Sequence, residues 1–272
     1  FMINCNGVLV SSLLEGDETV IQSLFYELSV NERLRYTKGR ILLWETHYFR
    51  IIAALRRHRF IIPMDFTMDY LKNEVDKTVE QNTTPFEDYL LHFKFIKNEK
   101  GVFFILTADG VQSYAPLSSD SYALDLYKEE WISSGFFSNL SNTNQTLRQI
   151  AKTYAYENGL EDCVLLNDQK NLVEATSGTL YLIQGNNILT PNLESGCQDF
   201  ALRAAFNLWL EKEQEEYRLC EQVINPFELQ KSEEIIILSI EKGIQNVSQY
   251  RKTTYTKEKA GLLFASFMNQ LD

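Results

Sequence analysis

Two charged side chains sit where solubility alone does not explain them. Arg50 follows His47, Tyr48 and Phe49 in a run whose apolar members, Ile51, Ile52 and Leu55, recur at helical spacing. Glu174 stands inside the apolar run LVEA (172–175), bounded by turn residues. Taken singly, each has an ordinary reading: Arg50 as a solvated or interface arginine, Glu174 as a carboxylate at the rim of a sheet. Between them, SNLSNTNQTLRQ (138–149) crowds hydroxyl and amide side chains just before an amphipathic segment. Asn142, Thr143 or Asn144 there would cap a helix by accepting from its first free N–H groups. Cysteines 5, 163, 197 and 220 follow no CxxC spacing, and with only three histidines they predict no zinc site and a reduced protein. The basic cluster RRHR (56–59) falls where a helix should end, so it reads as cations at the carbonyl end of a helix dipole.

The elements that must position these residues are mixed. Strands are expected over 24–30 and 34–36, and a short buried strand over 40–44. A helix then carries His47 to Leu55, and a second runs from 67 to 80. Aromatic-rich strands over 89–97 and 102–107 flank the turn NEKG (98–101). The stretch SYAPLSSDS (113–121) sets small polar residues around a proline and reads as a linker. Beyond it lie a strand over 123–127, a helix over 147–159, and a meander over 163–167, 172–175 and 179–183. A helix over 202–210 follows, then a capping box at NPFE (225–228), a strand over 234–239 and a last helix over 256–271. The sequence is thus an α+β protein with an N-terminal domain over 1–114, a linker over 115–121 and a C-terminal domain over 122–272.

Composition bounds the rest. The chain has 272 residues, 44% of them hydrophobic, enough apolar material for a core. A net charge of −11 leaves no concentrated basic face for nucleic acid or anionic membrane. No apolar run approaches the ~20 residues that span a bilayer and no leader is read at the start, so a cytoplasmic location is expected.

The order of elements and several local patterns resemble the class IV aminotransferases, the fold-type IV pyridoxal-phosphate (PLP) enzymes. These include branched-chain and D-amino-acid aminotransferases and aminodeoxychorismate lyases. HYFR (47–50) resembles the family's H-x-x-R, and FYE (25–27) the preceding F-E-T. EDCVLLN (161–167) with LVEATSG (172–178) resembles D-E-A-L-L-L-D and V-x-E-G-S-S-S. Thr190-Pro191 resembles T-P, and GIQNV (243–247) resembles G-I-x-P-V. The resemblance implies a two-domain fold like that of D-amino-acid aminotransferase and a homodimer. It also implies that Arg50 reaches the cofactor phosphate and Glu174 pairs with the pyridine nitrogen.

It implies a lysine as well, because PLP chemistry needs an amine to hold the cofactor and shuttle a proton. Counting back from Glu174 without a gap, LSNTNQ (140–145) falls on L-K-x-x-N-[RY]. Asn144 matches the asparagine and Ser141 stands at the lysine position, with no lysine between Lys128 and Lys152. A hydroxyl cannot form a Schiff base. The phosphate cup departs too: where the family has G-[IV]-[TS]-R, Phe200 and Leu202 precede Arg203, and Asp199 adds a negative charge. In the last strand only Ser239 remains polar where a T-N/S-S loop is expected, and the glycine-rich entry reads IQSLF (21–25). The expectation is a divergent homologue with no catalytic lysine and no bound cofactor. Arg50, Glu174 and Ser239 would be vestigial PLP-site positions, and a small molecule could occupy the old cleft. The alternative is an active PLP-dependent aminotransferase or aminodeoxychorismate lyase whose lysine, Lys94 or Lys128, comes from elsewhere. Phe93, Phe95, Phe103 and Phe104 could pack at a dimer interface, with core packing the stronger reading.

Overall fold

The aromatic stretch in the first half is a long hairpin. β5 (Asp88–Asn98) and β6 (Gly101–Val111) pair antiparallel, with Asp88 opposite Val111 and Asn98 opposite Gly101. In this computed structural model all residues are described except 1, 16, 17, 19–21, 23, 25–27, 83–85, 99, 100, 115–120, 142, 143 and 272. The chain divides into two units, Phe1–Ser113 and Tyr114–Asp272. The FYE motif and most of the expected linker therefore lie outside the described residues.

In the first unit the hairpin is the centre of a sheet ordered β2-β1-β6-β5-β3-β4. Its other strands are β1 (Ile3–Cys5), β2 (Val8–Val10), β3 (Ser29–Thr37) and β4 (Arg40–Ile41). Alternation along the hairpin puts Phe93, Phe95 and Phe104 on one face, each at most 1% exposed, where Phe66 meets the rings of Phe95 and Phe104 at 6.0 Å. Phe103 faces the opposite side, against the cluster of Ile3, Cys5 and Val10. β3 begins at Ser29, later than the strand expected from residue 24. The strand expected through Trp44 stops at Ile41. Leu43 enters the left-handed region at φ 53°, and helix α1 (Trp44–Arg57) starts directly after it. Helix α2 (Met68–Glu80) is capped by Thr67, whose hydroxyl accepts from the Tyr70 N–H at 3.1 Å. At the open end of the hairpin, Arg35 and Asp88 form a buried ion pair at 2.7 Å, and the Thr37 hydroxyl donates to the other carboxylate oxygen.

The second unit has two five-stranded sheets. One runs β16-β15-β7-β8-β9, from β7 (Ala123–Leu126), β8 (Asp162–Leu166), β9 (Leu172–Ala175), β15 (Gln249–Tyr250) and β16 (Thr253–Thr254). The other runs β12-β11-β10-β13-β14, from β10 (Thr179–Gln184), β11 (Asn187–Pro191), β12 (Arg218–Gln222), β13 (Glu234–Ser239) and β14 (Gly243–Val247). Leu124, Val164, Leu180, Ile235, Ile237 and Val247 belong to one buried cluster drawn from both sheets. Helices α3 (Gln145–Glu157), α4 (Ala201–Glu213), α5 (Glu228–Lys231) and α6 (Glu258–Leu271) complete the unit. Phe206 and Trp209 of α4 meet Phe267 of α6 at 5.0 and 5.4 Å. The buried carboxylate of Glu234 anchors the start of α6, accepting from the N–H groups of Glu258, Lys259 and Ala260 at 2.8 to 2.9 Å. The NPFE segment is only half a capping box. Asn225 accepts from the Phe227 N–H, but Glu228 turns to Gln184 and Lys231 instead of back to Asn225.

The expected meander is also divided. β8 and β9 pair antiparallel, whereas β10 joins the second sheet, so the chain changes sheets within the tight turn Ala175 to Gly178. Two features fix that corner. Asp162, fully buried, accepts from the Thr176 N–H at 3.0 Å, from Tyr122 at 3.2 Å and from the hydroxyls of Thr176 and Ser177. Gly178 lies so close to β13 that a Cβ there would sit 2.4 Å from the Leu238 carbonyl oxygen. Gly178→Ala should therefore cost on the order of 3 kcal/mol in urea unfolding, since packed backbone has little room to give. Gly135→Ala, with nothing within 4 Å of its added carbon, should be close to neutral.

Candidate functional site

Arg50 lies on α1 one turn beyond His47, and both side chains reach back to β3. There Val30, Glu32 and Leu34 are buried on one face of the strand. Glu32 Oε1 accepts from Arg50 Nε at 3.1 Å and lies 2.7 Å from His47 Nδ1. Burial alone would raise the Glu32 carboxyl, but the charge of Arg50 and the bond to His47 outweigh it and hold the group below the usual carboxylate range. Arg50 is thus a half-buried cation with an internal counter-ion.

Glu174, on β9, is 1% exposed. Its Oε1 accepts from Arg148 Nε at 2.5 Å and from Gln198 Nε2 at 3.2 Å, and its Oε2 accepts from the Gln198 backbone N–H at 2.8 Å. Arg148 comes from α3, where it shares the buried stripe with Ala151 and Ala155. Gln198 comes from the segment leading into α4. The carboxylate therefore joins a strand, a helix and a connection through its own bonds, and a charged group so deeply buried requires such partners.

Ser141 lies in the turn before α3. Asn139 in that turn donates to the carbonyls of Leu193 and Cys197 at 2.8 and 2.7 Å and accepts from the Asp199 N–H at 3.1 Å, stitching the turn to the approach to α4. The predicted caps resolve differently. Asn142 and Thr143 lie outside the described residues, and Asn144 is the N-cap residue but left-handed at φ 56°, with no side-chain cap bond. Gln145 donates to the Ser141 carbonyl instead. Ser239 closes the turn between β13 and β14, accepting from the Lys242 N–H at 3.1 Å, and its Cβ neighbours Gly178. At the start of α4, Phe200 makes no cap bond, and Arg203 donates to the Pro191 carbonyl and to Glu221. Burial pushes the Cys163 and Cys197 thiols up to about 12, so neither is poised as a nucleophile.

The sequence reading singled out Arg50, Ser141, Glu174 and Ser239 but missed Glu32, Arg148 and Gln198. Two of the three left a signal: Glu32 takes a buried turn in the alternation of β3, and Arg148 falls on the apolar stripe of α3 at i, i+3, i+7. Gln198 left none, because its bonds come from an irregular segment. Among the described residues, no three His, Cys, Asp or Glu side chains converge as a metal would need, and no helix is long and apolar enough to cross a membrane.

The chain belongs to the class IV aminotransferase family, whose model matches residues 29–250. Its fold matches solved structures of that family along nearly its full length. A branched-chain aminotransferase from Thermoproteus uzoniensis, solved with norvaline, superposes with a TM-score of 0.83 at 17% identity, covering 100% of this chain and 94% of the other. The branched-chain amino acid aminotransferase of Escherichia coli gives 0.85 at 14% identity, with 99% and 94% covered. A putative 4-amino-4-deoxychorismate lyase from Legionella pneumophila gives 0.76 at 15%, with 92% and 93% covered. No curated protein matches by sequence.

The Glu32 cluster carries a pH consequence. A carboxyl whose folded pKa is depressed stabilises the fold above its unfolded pKa, and that stability is lost as pH falls through the folded value. Wild-type stability should therefore fall more steeply than that of Glu32→Gln on acidification from about pH 5 to pH 3. Urea midpoints across that range read the difference; parallel curves would remove the assignment.

Proposed function

We propose that this chain is a divergent class IV homologue that no longer carries out lysine-dependent PLP chemistry and uses the inherited fold to bind a small molecule or regulate a partner. The observation that carries the reading is Ser141 at the position where the family resemblance expects the Schiff-base lysine. Three further features support it. Both oxygens of Glu174 already accept from Arg148 and Gln198, so a pyridine nitrogen would have to share a carboxylate whose charge Arg148 already balances. Arg50 is held by Glu32. Phe200 and Ala201–Leu202 give the start of α4 no glycine over which bare backbone could approach a phosphate. These residues do not fit PLP. In this reading Arg50, Glu174 and Ser239 are vestigial positions, the protein is a cytoplasmic homodimer, and no cofactor is needed.

Colour is the test. An internal aldimine absorbs in the visible range, and borohydride fixes it to a lysine. The expected outcome is a protein that stays colourless after incubation with PLP and shows no cofactor adduct by mass spectrometry. A reduced adduct on Lys94, Lys128 or any other lysine would establish the alternative, an active aminotransferase or aminodeoxychorismate lyase.

A further inference from the structure

We infer that Arg148 is a built-in counter-ion that fills, from within the chain, a cation site centred on Glu174, so that deleting its guanidinium opens a pocket able to take up a small planar cation from solution. The inference deepens the functional reading above and rests on it, because it requires that the chain and not a cofactor occupy the carboxylate. Arg148 is 5% exposed and Glu174 1%, and the contact is a single Nε–H to Oε1 bond of 2.5 Å, the strong charge-assisted kind. Arg148 takes a buried place on a stripe whose other members, Ala151 and Ala155, are small and apolar. A helix that needed only packing there would not carry a charge.

The two Gln198 bonds complete the cradle without adding charge, leaving Arg148 as the positive partner hydrogen-bonded to Glu174. A carboxylate at this depth stripped of that partner is strongly destabilising, whereas removing both members of a buried pair together is much less so. A small planar cation such as guanidinium matches the geometry of the deleted head group.

Thermal unfolding of the purified full chain tests this with Arg148→Met, Glu174→Gln and the double variant. Each single variant should drop the midpoint by on the order of 10 °C, and the double should drop it less than the sum of the two. For Arg148→Ala, about 20 mM guanidinium chloride should raise the midpoint relative to equal sodium chloride, while leaving wild type and Arg148→Ala/Glu174→Gln unraised. If a single variant yields no folded protein, recovery of soluble protein in the double variant supports the pairing, and failure to recover it counts against. Additive losses, or no rise with guanidinium, would overturn the assignment of Arg148 yet leave the colourless-protein reading standing. A borohydride-trapped lysine adduct in wild type would overturn that reading itself.

Discussion

A carboxylate buried to 1% exposure is the constraint from which the second unit is best understood. Glu174 cannot keep its charge at that depth unless donors surround it, because desolvating an ion costs several kcal/mol that only close partners offset. Its bonds therefore dictate where other elements lie: Arg148 draws α3 against β9, and the Gln198 N–H draws in the segment before α4. Asn139 ties the turn before α3 to that same segment. The polar stretch that looked like a helix cap thus contributes a seam between two connections, through the one amide of Asn139.

The first unit repeats this logic with the charges reversed. Arg50 on a helix is met by Glu32 on a strand, as Glu174 on a strand is met by Arg148 on a helix. In both, the residue that stood out in the sequence is half of a pair whose other half lay in a periodic pattern and was easily counted as part of it. The difference is exposure: the Arg50 side chain retains 17% of its surface, while the Arg148 pair is closed to water on both sides.

How much could be read in advance follows from the range of the interactions involved. The hairpin of β5 and β6, the helix capped by Thr67 and strand β13 are set by local alternation, turns and caps, and were legible as such. The end of β4 was not, since it depends on one left-handed residue, Leu43, with no glycine to announce it. Nor was the departure of β10 to another sheet. Three short apolar runs in a row look alike whether they pair with each other or not, and the deciding contact is between Gly178 and the backbone at Leu238, far along the chain. Family membership was legible because motif order survives where individual motifs do not. The partners of Glu174 were not, because Arg148 and Gln198 acquire meaning only through contacts with it.

The pairing of β15 with β7 sets an order on synthesis. Gln249 and Tyr250 lie beside Ala123 and Leu124 in parallel, so the first strand of the second unit finds its outer neighbour only after every strand of the unit's other sheet has been made. During translation β7 has an open edge until the segment around residue 250 has left the ribosome. Such late, long-range closure is slow and leaves an unpaired strand exposed to other nascent chains. The second unit therefore closes this sheet only after its late strands are made, while the first, whose strands all pair within residues 3–111, can be complete before the other is made.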